Sequence, residues 1–508
     1  MLFFRFIICI CYAQGKSNSL NHTEPSSYNF SFCVETSSFE NEIIIREKKI
    51  SMQKQLEEFS NFIANISKMN ITKIYGISTL IDGKEANSSN FIRIIDEKEK
   101  ITISGFTFTN FKNEIINSKN ASIDIINCSF IENFIERNAL LNFENCNLKM
   151  ENIKFDLTQT HNSFILSCKN TSFFMSNCDF NNSFSYSSNP FVYFNNSKGK
   201  IKNTLFRNNR TPLSSLITYN MKSYVFYEKT SFITNSFLNM ILINKNSRAN
   251  FIECFFKDNI GSILSSFNSQ QIMFNYSIFQ KNFSPDLPLL SINNISLNNC
   301  SFVENSGSPI IELKNGFLKI NDCNINYNKA QSYFLKANNS YININNTSII
   351  NESSTISIFK FKFSNVSMSH LYFYEIWQTL ILTFGSTMSL INSNFKNKIA
   401  LNQAIINSKS TNITIKNTSF QIQTNDPLIK INQGNVQLSQ LSFSTTQSLS
   451  FSPILFAKLC NNCLFTESKS IHFNLIYLEI LFIIIIMFWL FKNKIFVLLA
   501  YQRRRGID

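Results

Sequence analysis

The sequence predicts an all-β protein, a right-handed parallel β-helix solenoid of about 15 coils followed by a single C-terminal transmembrane helix. Three observations carry this. Aromatic positions recur with a period near two dozen residues, each period holds short strands with no room for a long helix, and one extended apolar run lies close to the C-terminus. Repeats of 20–50 residues are the mark of solenoids and related arrays.

Taking Phe302 in "NNCSFVENSG" as an anchor, equivalent positions fall at Phe108, Phe130, Phe155, Phe180, Phe206, Phe232, Phe256, Phe279, Ile325, Ile349, Phe373, Phe395, Phe420 and Phe443, at intervals of 22 to 26 residues. Five residues before every anchor, from Ile103 through Leu297 to Leu438, the residue is apolar, although only 44% of the chain is hydrophobic. The core stack is therefore expected to include Phe130, Phe206, Phe232, Phe256, Phe279 and Phe302.

Two residues before the anchor the side chain is often small, as at Cys128, Cys178, Thr204, Cys254, Cys300, Cys323 and Thr418. Strand side chains alternate between faces, so this position shares the inward face of the anchor. The apolar residue five before the anchor is three away from the small one, and that odd step requires a corner between them. The second corner residue is Asn127, Asn152, Asn177, Asn203, Asn299, Asn346, Asn392 or Asn417 in eight coils. Asn tolerates the left-handed conformation of a tight bend, and stacked amides can bond into a ladder.

A second series, Asn209, Asn235, Asn259, Asn282, Asn305 and Asn328, with Asn133 earlier, stands three residues after the anchor and is expected to turn neighbouring corners. The rest of each period, for example "SPIIELKNG" or "DPLIKINQG", supplies a further strand. Each coil is thus two or three short parallel strands stacked about 4.8 Å from the next, and the handedness of parallel crossovers gives a right-handed winding.

The repeat resembles the right-handed parallel β-helix, or pectin-lyase-like, superfold. More narrowly it resembles the polymorphic-membrane-protein-like surface proteins of chlamydiae and trichomonads. The matching F-x-x-N motifs are "FIEN" at Phe130, "FRNN" at Phe206, "FITN" at Phe232, "FKDN" at Phe256, "FQKN" at Phe279 and "FVEN" at Phe302. The likeness runs from about Ile71 to Phe451. The companion Gly-Gly-Ala motif is missing, with "GSIL" at Gly261 nearest, and no C-terminal β-barrel is evident. The resemblance implies a surface-exposed protein associated with adhesion or antigenic variation, and it transfers no catalytic residue. A leucine-rich horseshoe, the rival of similar period, wants a large aliphatic where this chain has Cys, Thr or Ser.

The predicted organisation follows. Residues 1–13 read as a signal peptide, with Arg5 before the apolar run Phe6 to Tyr12 and a small Ala13. Residues 14–70 form an N-terminal region and solenoid cap, with a short helix around Met52–Ile63. The β-helical ectodomain covers 71–450, and a terminal coil and stalk cover 451–474. Residues 475–491, apolar but for Glu479, form the transmembrane helix, whose partner is membrane lipid. Lys492, Lys494 and Arg503–Arg505 mark residues 492–508 as a basic cytoplasmic tail. The expected location is the plasma membrane, single-pass type I, with the ectodomain outside.

The net charge of +14 is spread over the tail and scattered lysines. It forms no dense basic run with interleaved aromatics, so nucleic acid is excluded as a partner. A host-cell, matrix or glycan ligand is expected instead, since a positive surface favours acidic glycans and anionic cell surfaces. Five of the 12 cysteines occupy the inward repeat position and read as small core residues, although Cys300 and Cys323 sit in adjacent coils where a bridge is geometrically possible. The "CNNC" of Cys460 and Cys463 is spaced for a local disulfide. About twenty-two N-x-S/T sequons predict glycosylation of a secreted chain, with those at Asn127, Asn299, Asn346 and Asn417 masked inside the ladder.

No cofactor or metal is indicated, and no catalytic constellation. The four histidines, His22, His161, His370 and His472, are far apart in sequence, and His370 is a corner residue. Carbohydrate-active members of this superfold cluster Asp, Glu or Arg on adjacent coils, and no Asp-Asp pair or Gly-His-Gly stretch occurs. The predicted function is adhesion or cell contact by a displayed β-helical rod. The alternatives are a passive structural or antigenic coat and a membrane-tethered carbohydrate-active enzyme.

Overall fold

The computed structural model describes residues 72–444 apart from 86–89, 98, 377, 401–403 and 425–428, together with strands at 34–37, 42–45, 49–50 and 455–466. The signal peptide, the helix around Met52–Ile63, the transmembrane helix and the tail lie outside the described residues. So does most of the cap.

The described chain is a parallel β-solenoid of about 14 turns, without an α-helix. Each coil has three strands, as in Tyr224–Glu228, Ser231–Ile233 and Ser236–Asn244. They pair in parallel with their equivalents one coil on, Arg248–Ile252, Phe255–Lys257 and Ile260–Phe267. Alternation along each strand puts Val225, Tyr227 and Phe232 inside. At the N-terminal end of the described residues Glu42–Ile45 pairs in parallel with the first coil, and Val34–Ser37 lies antiparallel on Glu42–Ile45.

Ring stacking follows from parallel register, because it places equal positions of successive coils directly over one another. Phe108, Phe130, Phe155, Phe180, Phe206, Phe232, Phe256, Phe279 and Phe302 form one column with neighbouring ring centroids 4.5 to 5.1 Å apart. Ile325 and Ile349 interrupt it, and Phe373, Phe395 and Phe420 resume it. A second column, Tyr227–Phe251–Phe274, meets the first edge-to-face. Offset and edge-on ring contacts add to the burial of apolar area.

Three corners close a typical coil, and most of them hold a residue at φ near +50°. At the first corner these include all eight predicted residues, Asn127, Asn152, Asn177, Asn203, Asn299, Asn346, Asn392 and Asn417. Their side chains are exposed, because the left-handed residue points outward and the small residue after it points in. Exterior amide bonds link Asn152 to Asn127 (2.9 Å) and Asn417 to Asn392 (2.7 Å). The masking expected of the sequons at Asn127, Asn299, Asn346 and Asn417 is therefore corrected. The corner N–H groups are satisfied one coil on, as Lys229 donates to the Ile252 carbonyl (3.0 Å).

The second Asn series is also corrected. The second corner is turned by the preceding residue, such as Asn208, Thr234, Asp258, Lys281, Glu304 or Tyr327. Asn209, Asn235, Asn259, Asn282, Asn305 and Asn328 point inward and are buried. The Nδ2 group of Asn259 donates to the Phe232 carbonyl of the coil before (2.9 Å) and to Asn282 Oδ1 of the coil after (2.9 Å), and that Oδ1 also accepts from the Asn259 backbone N–H (3.2 Å). The pattern repeats along all six and ends on Glu352, whose Oε1 accepts from Asn328 Nδ2 (2.8 Å) and its backbone N–H (3.0 Å). Above Glu352 the next equivalent is the apolar Ile376.

Candidate functional site

The interior is filled by ring columns and amide ladders, so the outward positions of the strands are the surface this chain offers to other molecules. On the first strand of successive coils these positions build two adjacent columns. One runs Ser172, Lys198, Tyr224, Arg248 and the other Phe174, Lys200, Phe226, Asn250. Neighbours in a column stand about 4.8 Å apart, so cations and rings alternate on a flat, backbone-paired surface.

The columns are internally organised. The Lys200 ammonium lies 5.1 Å from the Phe226 ring centroid and the Arg248 guanidinium 4.2 Å from that of Tyr224. Asn250 Nδ2 donates to the Tyr224 hydroxyl (3.2 Å). At the end of the strands Glu228 pairs with Lys200 and with Lys202 (2.9 Å). Those lysines pull the half-buried Glu228 carboxyl down to about 2. Four cations, Lys198, Lys200, Lys202 and Arg248, thus face one carboxylate on these three strands, and the patch is positive. A related but looser arrangement lies on the third strands nearer the C-terminus, where Lys362 sits over Phe363 (5.2 Å) and Lys409 over Phe384 (5.7 Å).

A second feature is an open cleft of about 820 Å³ lined by Phe134, Glu136, Arg137, Asn138, His161 and Asn162. Phe134–Ile135 pairs in parallel with Gln159–Thr160, so Glu136 and His161, one coil apart in sequence, follow equivalent positions. The cleft therefore joins an acid, a base and a guanidinium that the sequence reading left scattered. The usable signal was their separation of one repeat length. Among the paired strands no carboxylate is the register partner of another, and among the described residues no group of three His, Cys, Asp or Glu is placed to hold a metal.

Cys460 and Cys463 lie on the strand Leu455–Thr466, which pairs with Ile429–Ser439 through a register irregularity. Their side chains fall outside the description. The seven described cysteines are buried free thiols.

No family model and no curated protein matches the chain. Similar solved structures include the Agl-KA catalytic domain, at 11% identity and a TM-score of 0.33, covering 76% of this chain and 65% of that one, less than two thirds of its length. They also include the surface adhesin PfbA of Streptococcus pneumoniae, at 9% identity and a TM-score of 0.31, covering 77% and 95%. A mannuronic-acid-specific polysaccharide family 6 lyase from human gut microbiota matches at 9% identity and a TM-score of 0.26, covering 83% and 92%. At these scores the likeness bears on neither activity nor ligand.

Proposed function

We propose that the chain is a cell-surface protein held by residues 475–491, and that its solenoid serves adhesion through the basic aromatic face. The observation that carries this reading is the alternation of cations and rings on the columns from Ser172 and Phe174 to Arg248 and Asn250. A linear acidic glycan suits such a surface. Ring faces stack on the apolar faces of pyranose units, and Lys and Arg take carboxylates or sulfates between them. The coil rise is comparable to the length of one sugar unit, so successive coils meet successive sugars.

The test uses the full-length protein in detergent on an array of sulfated, uronate-containing and neutral glycans. Binding to the acidic glycans is expected to weaken as salt rises, and to fall at least about tenfold on replacing Lys198, Lys200 and Arg248 with Glu. Absence of cell or glycan binding at micromolar concentration would overturn the reading and leave a passive coat. The cleft of Glu136, Arg137 and His161 favours a second reading, a carbohydrate-active enzyme, since paired acid and base groups are what glycan cleavage requires. Release of shortened chains from an acidic polysaccharide, abolished by His161→Ala, would establish it.

A further inference from the structure

The small inward residue after the first corner forms its own column, in the order Thr230, Cys254, Ser277, Cys300, Cys323, Thr347. The strands that follow, Ile278–Gln280, Ser301–Val303 and Asn324–Asn326, are in strict parallel register. Asn324 N–H donates to the Cys300 carbonyl (2.9 Å) and Ser348 N–H to that of Cys323 (3.0 Å). In this column only Cys300 and Cys323 are cysteines on neighbouring coils; Cys254 is separated from Cys300 by Ser277. Both are almost fully buried, and each thiol donates in the same way, Cys300 to the Phe274 carbonyl (3.4 Å) and Cys323 to the Leu297 carbonyl (3.6 Å) of the coil before. A coil spacing of about 4.8 Å lies inside the Cα separation that a disulfide spans.

We propose that Cys300 and Cys323 are a disulfide site, a covalent clasp between successive coils that closes when the chain folds in an oxidising compartment. The chemistry balances with a small-molecule disulfide such as oxidised glutathione. The Cys300 thiolate attacks one sulfur of the oxidant and displaces a thiolate. Cys323, deprotonated, then attacks the mixed disulfide at the Cys300 sulfur and displaces the second thiolate. Two protein thiols lose two electrons and two protons, and the oxidant leaves as two thiols. Burial means that closure belongs to folding rather than to the finished rod. The physiological setting rests on the surface-display reading; the bond itself is tested apart from it.

Full-length protein is refolded with oxidised and reduced glutathione, alkylated under denaturation and digested with trypsin, which cuts at Lys314 and Lys319 between the two cysteines. The expected product is a peptide pair linked through Cys300 and Cys323 that dithiothreitol separates. On reduction, wild-type protein should lose several degrees of melting temperature more than a Cys300→Ser variant, in which only a bridge such as Cys460–Cys463 is left to break. Cys254→Ser, in the same column, should behave as wild type. Recovery of Cys300 and Cys323 both alkylated from the oxidised sample, or of Cys300 linked to another cysteine, overturns the proposal. That outcome is read on wild-type protein and does not depend on any variant folding. Glycan binding is scored separately, so loss of adhesion and loss of the clasp are distinguishable.

Discussion

Tyr227 stacks between coils in a column of phenyl rings, fully buried, with no hydrogen-bond partner for its hydroxyl; Tyr219, stacked on Phe194, is in the same position. Desolvating a hydroxyl without a compensating bond costs about 1–3 kcal/mol. Tyr227→Phe and Tyr219→Phe are therefore expected to raise stability by about 1 kcal/mol each in denaturant titrations, against the usual loss on core substitution. Glu352 poses the sharper residue-level question. It occupies an amide position, one oxygen accepts from Asn328 and the other is buried without a partner, and burial pushes its carboxyl up to about 8. The folded form thus keeps a proton that the unfolded chain releases near the ordinary carboxylate range. The stability this proton provides is complete below about pH 4.5 and drains away as pH rises toward 8, by up to about 1.4 kcal/mol per pH unit. Glu352→Gln keeps the amide geometry and has no proton to lose. Urea unfolding of the variant should vary less between pH 5 and pH 8 than that of the wild type, and an unchanged slope would show that Glu352 is ionised in the folded chain.

At the scale of the element, the two Asn series look alike in sequence and do opposite work. Asn152 is an exterior corner residue whose value is conformational, so Asn152→Ala should cost about 1 kcal/mol, the penalty of a left-handed residue bearing an ordinary Cβ. Asn259→Ala deletes two donated bonds and leaves the Asn235 N–H and Nδ2 groups without their acceptor. It should cost about 3 kcal/mol or more in the same melt, because each buried group left unpaired carries its own penalty. This contrast explains what was legible beforehand. The ring column and the first corner could be read from spacing, since Phe and Asn are strongly selected by core volume and by positive φ. The inward ladder could not be separated from the second corner, because the two are adjacent residues and the corner itself accepts Thr, Asp, Lys, Glu and Tyr once cross-coil backbone bonds hold it. The surface patch was hidden for a related reason. Lys200 and Phe226 are 26 residues apart and meet only when coils of unequal length are brought into register. The cleft of Glu136 and His161 was missed in the same way.

At the scale of the molecule, every column and ladder joins a coil only to the one before and the one after, so stability is a sum of coil and interface terms rather than a property of one closed core. Removal of a whole coil should then be tolerated where removal of part of one is not. Deleting residues 282–304 joins Lys281 to Asn305. Asn305 takes the ladder position of Asn282, Phe279 is followed by Ile325 in the ring column, and each remaining residue keeps its face. The shortened chain should retain its β circular dichroism and a cooperative melt within about 5 °C of the parent. Deleting residues 282–293 removes the third strand alone and carries the second strand directly into the next first strand. Three corners become two, inward positions turn outward, and the melt should lose its cooperativity. If both deletions unfold alike, the coils are not independent units. The columns of Lys198 and Phe174, which end at Arg248 and Asn250 on the N-terminal side of the deletion, should keep their geometry in the whole-coil deletion, so glycan binding measured on that protein separates damage to the rod from damage to its face.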